Sequence, residues 1–194
     1  MTALELPERQ DWTVDDLVDL PADLDYELIN GRLVVPSPTP AHQILAGEVW
    51  LAVRANCPPD YLVSLDQSLQ VDRRNEPRPD VVVVRIEHID RTPVPVEDAV
   101  LAIEVVSQHS EFRDMYDKAN VYAKAGIVRY WVIEQPSGDV SLTEMTHDRE
   151  AGLYRTGAFT TEVFRVTEPW EITIDLRGMS NRLAALRERA KPGE

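Results

Sequence analysis

Hydrophobic positions fall in two rhythms along this chain. Residues 81–84 and 100–106 are near-continuous apolar runs, whereas Leu45, Val49 and Ala52 recur at helical spacing. Unbroken Val- and Ile-rich runs bounded by polar or proline-containing stretches read as buried strands of the parallel type. Recurrence every three to four residues reads as the inward face of a helix.

Local signals fill in the rest. Thr13-Val14-Asp15-Asp16 resembles a capping box that opens a short helix, which Pro21 ends. Segments 26–29 and 32–35 flank Asn30-Gly31, a signal for a tight two-residue hairpin turn. Thr39-Pro40 supplies an N-cap and a first-turn proline for a helix running to about residue 56, with His42 on its apolar side. Strands are expected at 61–64 and 68–71, followed by the two apolar runs. A helix from about 111 to 124 stops at Gly126, and a strand at 129–134 is broken by Pro136-Ser137-Gly138-Asp139. Further strands are expected near 140–145, 152–155, 162–166 and 171–176, and a short polar helix starts near Ser180. Residues 1–10 read as a loose arm and the last residues from about 190 as a free tail. This order predicts an α/β fold, an α+β mixed sheet with helices packed on it, in one domain over residues 1–194.

Composition changes this picture little. Hydrophobic residues make up 43% of the chain and charged residues 28%, ordinary values for a globular protein. No run is long enough to span a bilayer and the start is not signal-like, so a cytoplasmic location without membrane contact is expected. The single cysteine, Cys57, excludes an internal disulfide framework and a cysteine-rich zinc site, and reads as a half-buried filler. The net charge of −14 opposes simple nucleic-acid binding unless a metal ion or a local basic patch intervenes.

Chemistry enters through two acids on the apolar runs. Asp80 opens Pro79-Asp80-Val81-Val82-Val83-Val84, and Glu104 sits inside Ile103-Glu104-Val105-Val106. A carboxylate in such a run loses hydration and needs a cation or a hydrogen-bonding partner. Two of them on neighbouring strands satisfy that need by sharing a hard divalent ion. On the following helix, Asp114 and Lys118 stand four apart, the spacing of a solvated intrahelical ion pair. Lys118 also borders the apolar stripe of Met115, Ala119 and Tyr122, from which its stem can carry an ammonium group to the strand end.

Together with Tyr26-Glu27-Leu28-Ile29-Asn30-Gly31-Arg32-Leu33 and the segment 122–133, these motifs resemble the Uma-type restriction endonucleases, a branch of the PD-(D/E)XK nuclease superfamily. The resemblance runs in order from about Leu20 to Leu176. It implies a restriction-endonuclease-like core with additional β-hairpins and a magnesium-dependent site, with manganese as the alternative ion. Asp80 and Glu104 correspond to the metal ligands and Lys118 to the catalytic lysine. The superfamily's usual lysine position, two residues after the glutamate, is Val106 here, so the resemblance takes the lysine from the next helix, with Lys124 as runner-up. The chain also departs from the family pattern at Gln108-His109-Ser110 and at Val128-Arg129. Glu27 reads either as an exposed strand-edge acid or, on the resemblance, as a catalytic acid and third metal-shell ligand.

Other residues carry less. A lone His42 reads first as a packed, hydrogen-bonded side chain and second as a site residue. His88, His109 and His147 share no ligand spacing, and Tyr130 and Trp131 read as core. Arg73, Arg74 and Arg78 form the one local cluster suited to phosphate, against a solvated-loop reading. The expected function is therefore a magnesium-dependent endonuclease hydrolysing nucleic acid, with DNA the expected substrate and a homodimer the expected assembly for cutting two strands. The alternative is a catalytically inert interaction or regulatory module of the same fold. A serine or cysteine hydrolase lacks support, because no nucleophile elbow is present.

Overall fold

The Asn30-Gly31 signal folds as expected, and the computed structural model of the chain gives both residues positive φ, 52° and 79°. That backbone suits a primed two-residue turn, here joining β1 (Glu27–Ile29) to β2 (Arg32–Val34). The structure describes residues 11–21, 24–106, 112–134 and 138–191, and of 112–114 the backbone alone. The expected arm before Asp11, the loop at 108–110, the break at 136–137, the end of the tail and the Asp114 side chain lie outside the described residues.

Thr13 and Asp16 form their capping box, opening a 3-10 helix at Val14–Asp19. Thr39 caps α1 (Pro40–Arg54), its hydroxyl accepting the His42 N–H at 3.3 Å. There follow β3 (Tyr61–Leu65), β4 (Leu69–Gln70), β5 (Val81–Arg85), β6 (Val94–Pro95) and β7 (Ala99–Val106). Next, α2 (Phe112–Ala125) stops at Gly126, whose φ of 82° is the left-handed conformation glycine adopts without penalty. The chain continues with β8 (Arg129–Glu134), β9 (Ser141–Asp148), β10 (Leu153–Thr160), β11 (Val163–Val166), β12 (Ile172–Asp175) and α3 (Leu176–Ala190).

A six-stranded sheet in the order β10-β9-β8-β7-β5-β3 forms the centre. The parallel direction expected for the apolar runs is corrected here for residues 81–84, whereas 100–106 has a parallel neighbour on one side. β5 runs antiparallel to both β3 and β7, and only the β7–β8 pair of this sheet is parallel. The physical reason lies in the connections. Between β7 and β8 the chain crosses over through α2, whereas between β5 and β7 it has only 3-10 turns and the two-residue β6. Unbroken apolar sequence reports burial on two faces, and β5 has that burial without parallel pairing.

On one face, Val81, Val83, Leu101, Ile103 and Trp131 pack with Leu45 and Val49 of α1 and Leu176, Met179 and Leu183 of α3. On the other, Val82, Val84, Ala102, Tyr130 and Val132 pack with Tyr122 of α2. Glu104 shares the parity of Ala102 and therefore faces α2. The β5–β7 register runs Val81↔Ile103, Val82↔Ala102, Val83↔Leu101 and then shifts to Val84↔Ala99. This bulge lies at the end of the pair away from Asp80 and Glu104.

The C-terminal helix also differs from expectation, starting at Leu176 rather than near Ser180. Asp175 caps it by accepting the Gly178 N–H at 2.9 Å, and Leu176, Met179, Ser180 and Leu183 are buried, so the helix has an apolar face. Asp175→Ala should lower stability by about 1 kcal/mol, the usual cost of a lost N-cap, measured as a shifted urea midpoint with unchanged slope.

Candidate active site

The two acids come together because of the antiparallel pairing. Val81 lies opposite Ile103, which brings Asp80, one residue earlier, to the level of Glu104 on the neighbouring strand. The Asp80 Oδ2 accepts the Val105 N–H at 2.6 Å, so its carboxylate is tied to the strand that carries Glu104. His42 Nε2 lies 2.9 Å from Asp80 Oδ1. An ionised carboxylate only accepts, so Nε2 is the protonated nitrogen in this contact. The hydrogen bond that His42 donates to Asp80 raises the His42 pKa, against the lowering effect of burial.

Glu104 is 6% exposed and has a partner on each oxygen. The Tyr122 hydroxyl donates to Oε1 at 2.8 Å and the Lys118 ammonium donates to Oε2 at 3.0 Å. Lys118 and Tyr122 are four residues apart on α2, so one helical face delivers both. Lys118 also donates to Glu27 Oε1 at 2.7 Å, an oxygen that accepts the Arg78 N–H at 3.0 Å as well. The hairpin acid Glu27 is thus buried, at 8% exposure, rather than exposed on a strand edge. It holds both the lysine and the segment leading into Asp80. Lys118 thus makes two cross-element ion pairs, while the Asp114 side chain of the intrahelical reading lies outside the described residues.

Burial pushes the Glu104 carboxyl up; Lys118 opposes this, Asp80 and Glu27 add to it, and the net position is about 8. For Lys118, burial pulls the ammonium down, but Glu104, Glu27 and Asp80 outweigh it and raise the pKa. Lys118 keeps its proton, and the carboxyl that takes one up near neutrality is Glu104.

Other expected residues fall outside this cluster. Arg73 pairs with Asp15, Arg74 with Asp11 and the Asn30 carbonyl, and Arg78 with Asp66 and Asp25, so these arginines neutralise neighbouring acids. His88 pairs with Asp98 at 2.5 Å. Tyr130 and Trp131 are fully buried in the sheet, as expected. Tyr122 was legible in the sequence only as part of an apolar stripe. A tyrosine on the same helical face as a buried-acid partner is the signal that marks it. A concavity of about 440 Å³ lined by Arg129, Glu144, Arg165 and Glu168 opens near the start of β8, where Arg129 is already paired with Glu144 and Glu168. It does not include the acids described above.

Among the described residues, no group of three or more His, Cys, Asp or Glu side chains is arranged to hold a metal ion. A magnesium ion, however, keeps several waters and takes only one or two carboxylates together with substrate phosphate oxygens. Asp80 and Glu104, hard oxygen donors at matched positions on adjacent strands, fit that requirement. Burial, with Asp80 and Glu27 adding to it, raises the Glu104 pKa even with Lys118 beside it, and a bound cation would favour the ionised form.

A family model described as "Uma2: Putative restriction endonuclease" matches residues 14–177. Among solved structures, the chain is similar to a "putative nuclease belonging to DUF820" from Anabaena variabilis, with a TM-score of 0.69 and 16% identity. That match covers 88% of this chain and 98% of the other, a likeness of fold. No curated protein matches the chain. No helix among the described residues is long and apolar enough to cross a membrane.

Two outcomes follow from the buried cluster. Between the ordinary carboxyl range near 4.5 and about 8, folded Glu104 holds a proton that the unfolded chain has released. Stability in chelator should therefore fall as pH rises across that window, and Glu104→Gln should flatten the fall in thermal melts. Tyr122→Phe, which leaves Glu104 Oε1 without its buried donor, should cost about 1–3 kcal/mol in denaturant titrations.

Proposed function

Because the chain belongs to the Uma2 family, we propose that it is a metal-dependent endonuclease that hydrolyses phosphodiester bonds in nucleic acid, with Asp80, Glu104, Lys118 and Glu27 forming its active site. One observation carries this reading: α2 delivers Lys118 to Glu104 on the sheet face shared with Asp80, completing an acid–acid–lysine set although Val106 occupies the usual lysine position. Asp80 and Glu104 would hold the ion, magnesium or manganese. Bound there, it supplies Lewis-acid polarisation of the phosphoryl oxygens and positive charge against a chain of net charge −14.

The chain's own residues do the remaining work. Lys118 has three N–H donors, and among the described residues Glu27 and Glu104 engage two of them, the third being the one for the attacking water or a phosphate oxygen. Its retained charge opposes the negative charge that grows on the phosphate in the transition state. Glu27 keeps the ammonium group from turning away from the strand end. Arg73 and Arg74 lie in exposed pairs that cost little to open and can exchange an aspartate for a backbone phosphate, whereas Arg78 is held more firmly by Asp66. Duplex DNA is the proposed substrate, and a homodimer is the assembly that would cut both of its strands.

Cleavage of mixed DNA and RNA substrates, with magnesium, manganese or chelator, tests the reading. Wild type should cut only with a divalent ion, and Asp80→Ala and Glu104→Ala should abolish cutting. Lys118→Ala should lower the rate by about 10²–10³-fold, the usual cost of losing one charge-stabilising donor, while calorimetry still detects magnesium binding. A wild type inert on every substrate with both ions would favour the non-catalytic module of the same fold.

A further inference from the structure

The Asp80 carboxylate is held from two directions. Val105 N–H takes Oδ2 at 2.6 Å, and His42 Nε2 takes Oδ1 at 2.9 Å. The first donor belongs to the sheet. The second belongs to α1, the helix layer on the face opposite α2, and it reaches the strand end from the first turn of that helix. That turn is itself fixed, with Pro40 at its first position and Thr39 accepting the His42 N–H. The contact is largely sheltered, with side-chain exposures of 15% for His42 and 21% for Asp80.

A carboxylate's terminal torsion is broad, so a single donor leaves its plane loosely set. One donor on each oxygen fixes the plane and leaves one acceptor position per oxygen for a further partner. We propose that His42 is a positioning residue that orients Asp80 for divalent-metal binding, acting through the carboxylate without touching the ion. The inference rests on Asp80 being a metal ligand, as proposed above. Outer hydrogen bonds to ligating groups govern metal affinity by about 10–100-fold, so the role has a measurable size. Nε2 is the nitrogen that meets Asp80, and its N–H is committed there.

Manganese titration of the full-length chain, followed by the electron paramagnetic resonance signal of free ion, tests this apart from catalysis. Two variants of similar length separate donor from bulk: His42→Gln places an amide N–H near the position of Nε2, and His42→Met removes the donor. Expected is an affinity loss of about tenfold or more in His42→Met and recovery to within about threefold of wild type in His42→Gln. Asp80→Asn, with the carboxylate removed, should lose more than about 100-fold, and pulsed resonance on the loaded wild type should show no directly bound nitrogen. Equal affinity in His42→Met and wild type, or His42→Gln as weak as His42→Met, overturns the positioning role while Asp80 keeps its own. A directly bound imidazole nitrogen overturns it as well, by making His42 a ligand. A wild type that does not bind manganese, or an Asp80→Asn that binds as wild type does, overturns the metal reading and this inference with it. Thermal melts of both His42 variants confirm that folded protein is compared.

Discussion

The bridge from Lys118 to Glu27 and Glu104 is the interaction on which this end of the molecule depends. Each charge taken from water costs roughly several kcal/mol, and an ion pair in such a place is tolerated only when its hydrogen bonds are well filled. Here one ammonium group serves two carboxylates from different elements, β1 and β7, and Tyr122 fills the remaining Glu104 oxygen. The hairpin, the central strand and α2 are thereby held to a common point. Removing any one of these charges would leave the others buried without balance, so the cluster constrains the packing as much as the chemistry.

The same point is where the layers of the fold meet. Residues of one parity on β5 and β7 face α1 and α3, those of the other parity face α2, and the acids sit where the strands run out between the layers. His42 approaches from one layer, Lys118 and Tyr122 from the other. A strand end is suited to this, because side chains can converge there without breaking the backbone ladder. The surrounding negative charge of the chain then acts at a distance, and local order at the acids decides what a cation or a phosphate meets.

Much of this was readable before the fold was in hand, for reasons that differ by residue. Asp80 and Glu104 stand out because ionised groups in unbroken apolar runs need partners. Lys118 stands out because it borders an apolar stripe and so lies over the sheet rather than away from it. Tyr122 was readable only as core, since its ring is core and the bond from its hydroxyl to Glu104 depends on how α2 settles on the strand. The direction of β5 was misread because an apolar run records burial on both faces and carries no information about its neighbour's polarity. The start of α3 was placed late because its first turn owes its form to a cap, Asp175 to Gly178, rather than to hydrophobic spacing alone. The burial of Glu27 likewise depends on tertiary contacts with Lys118 and Arg78 that no local pattern encodes.

The register shift between Val83 and Val84 on β5, opposite Ala99 to Leu101, has a consequence for how such a chain can change over time. In an antiparallel pair a slip of one residue turns every following side chain to the opposite face, which would carry Glu104 away from Lys118 and toward the Trp131 side of the sheet. A bulge absorbs a surplus residue where it stands, and this one stands between the connection at 86–98 and the acids. Length changes in that connection can therefore be taken up before they reach the site. The acids' alignment is thereby separated from length changes in that connection, while its Val94 and Val96 stay bound to the core on the α2 side.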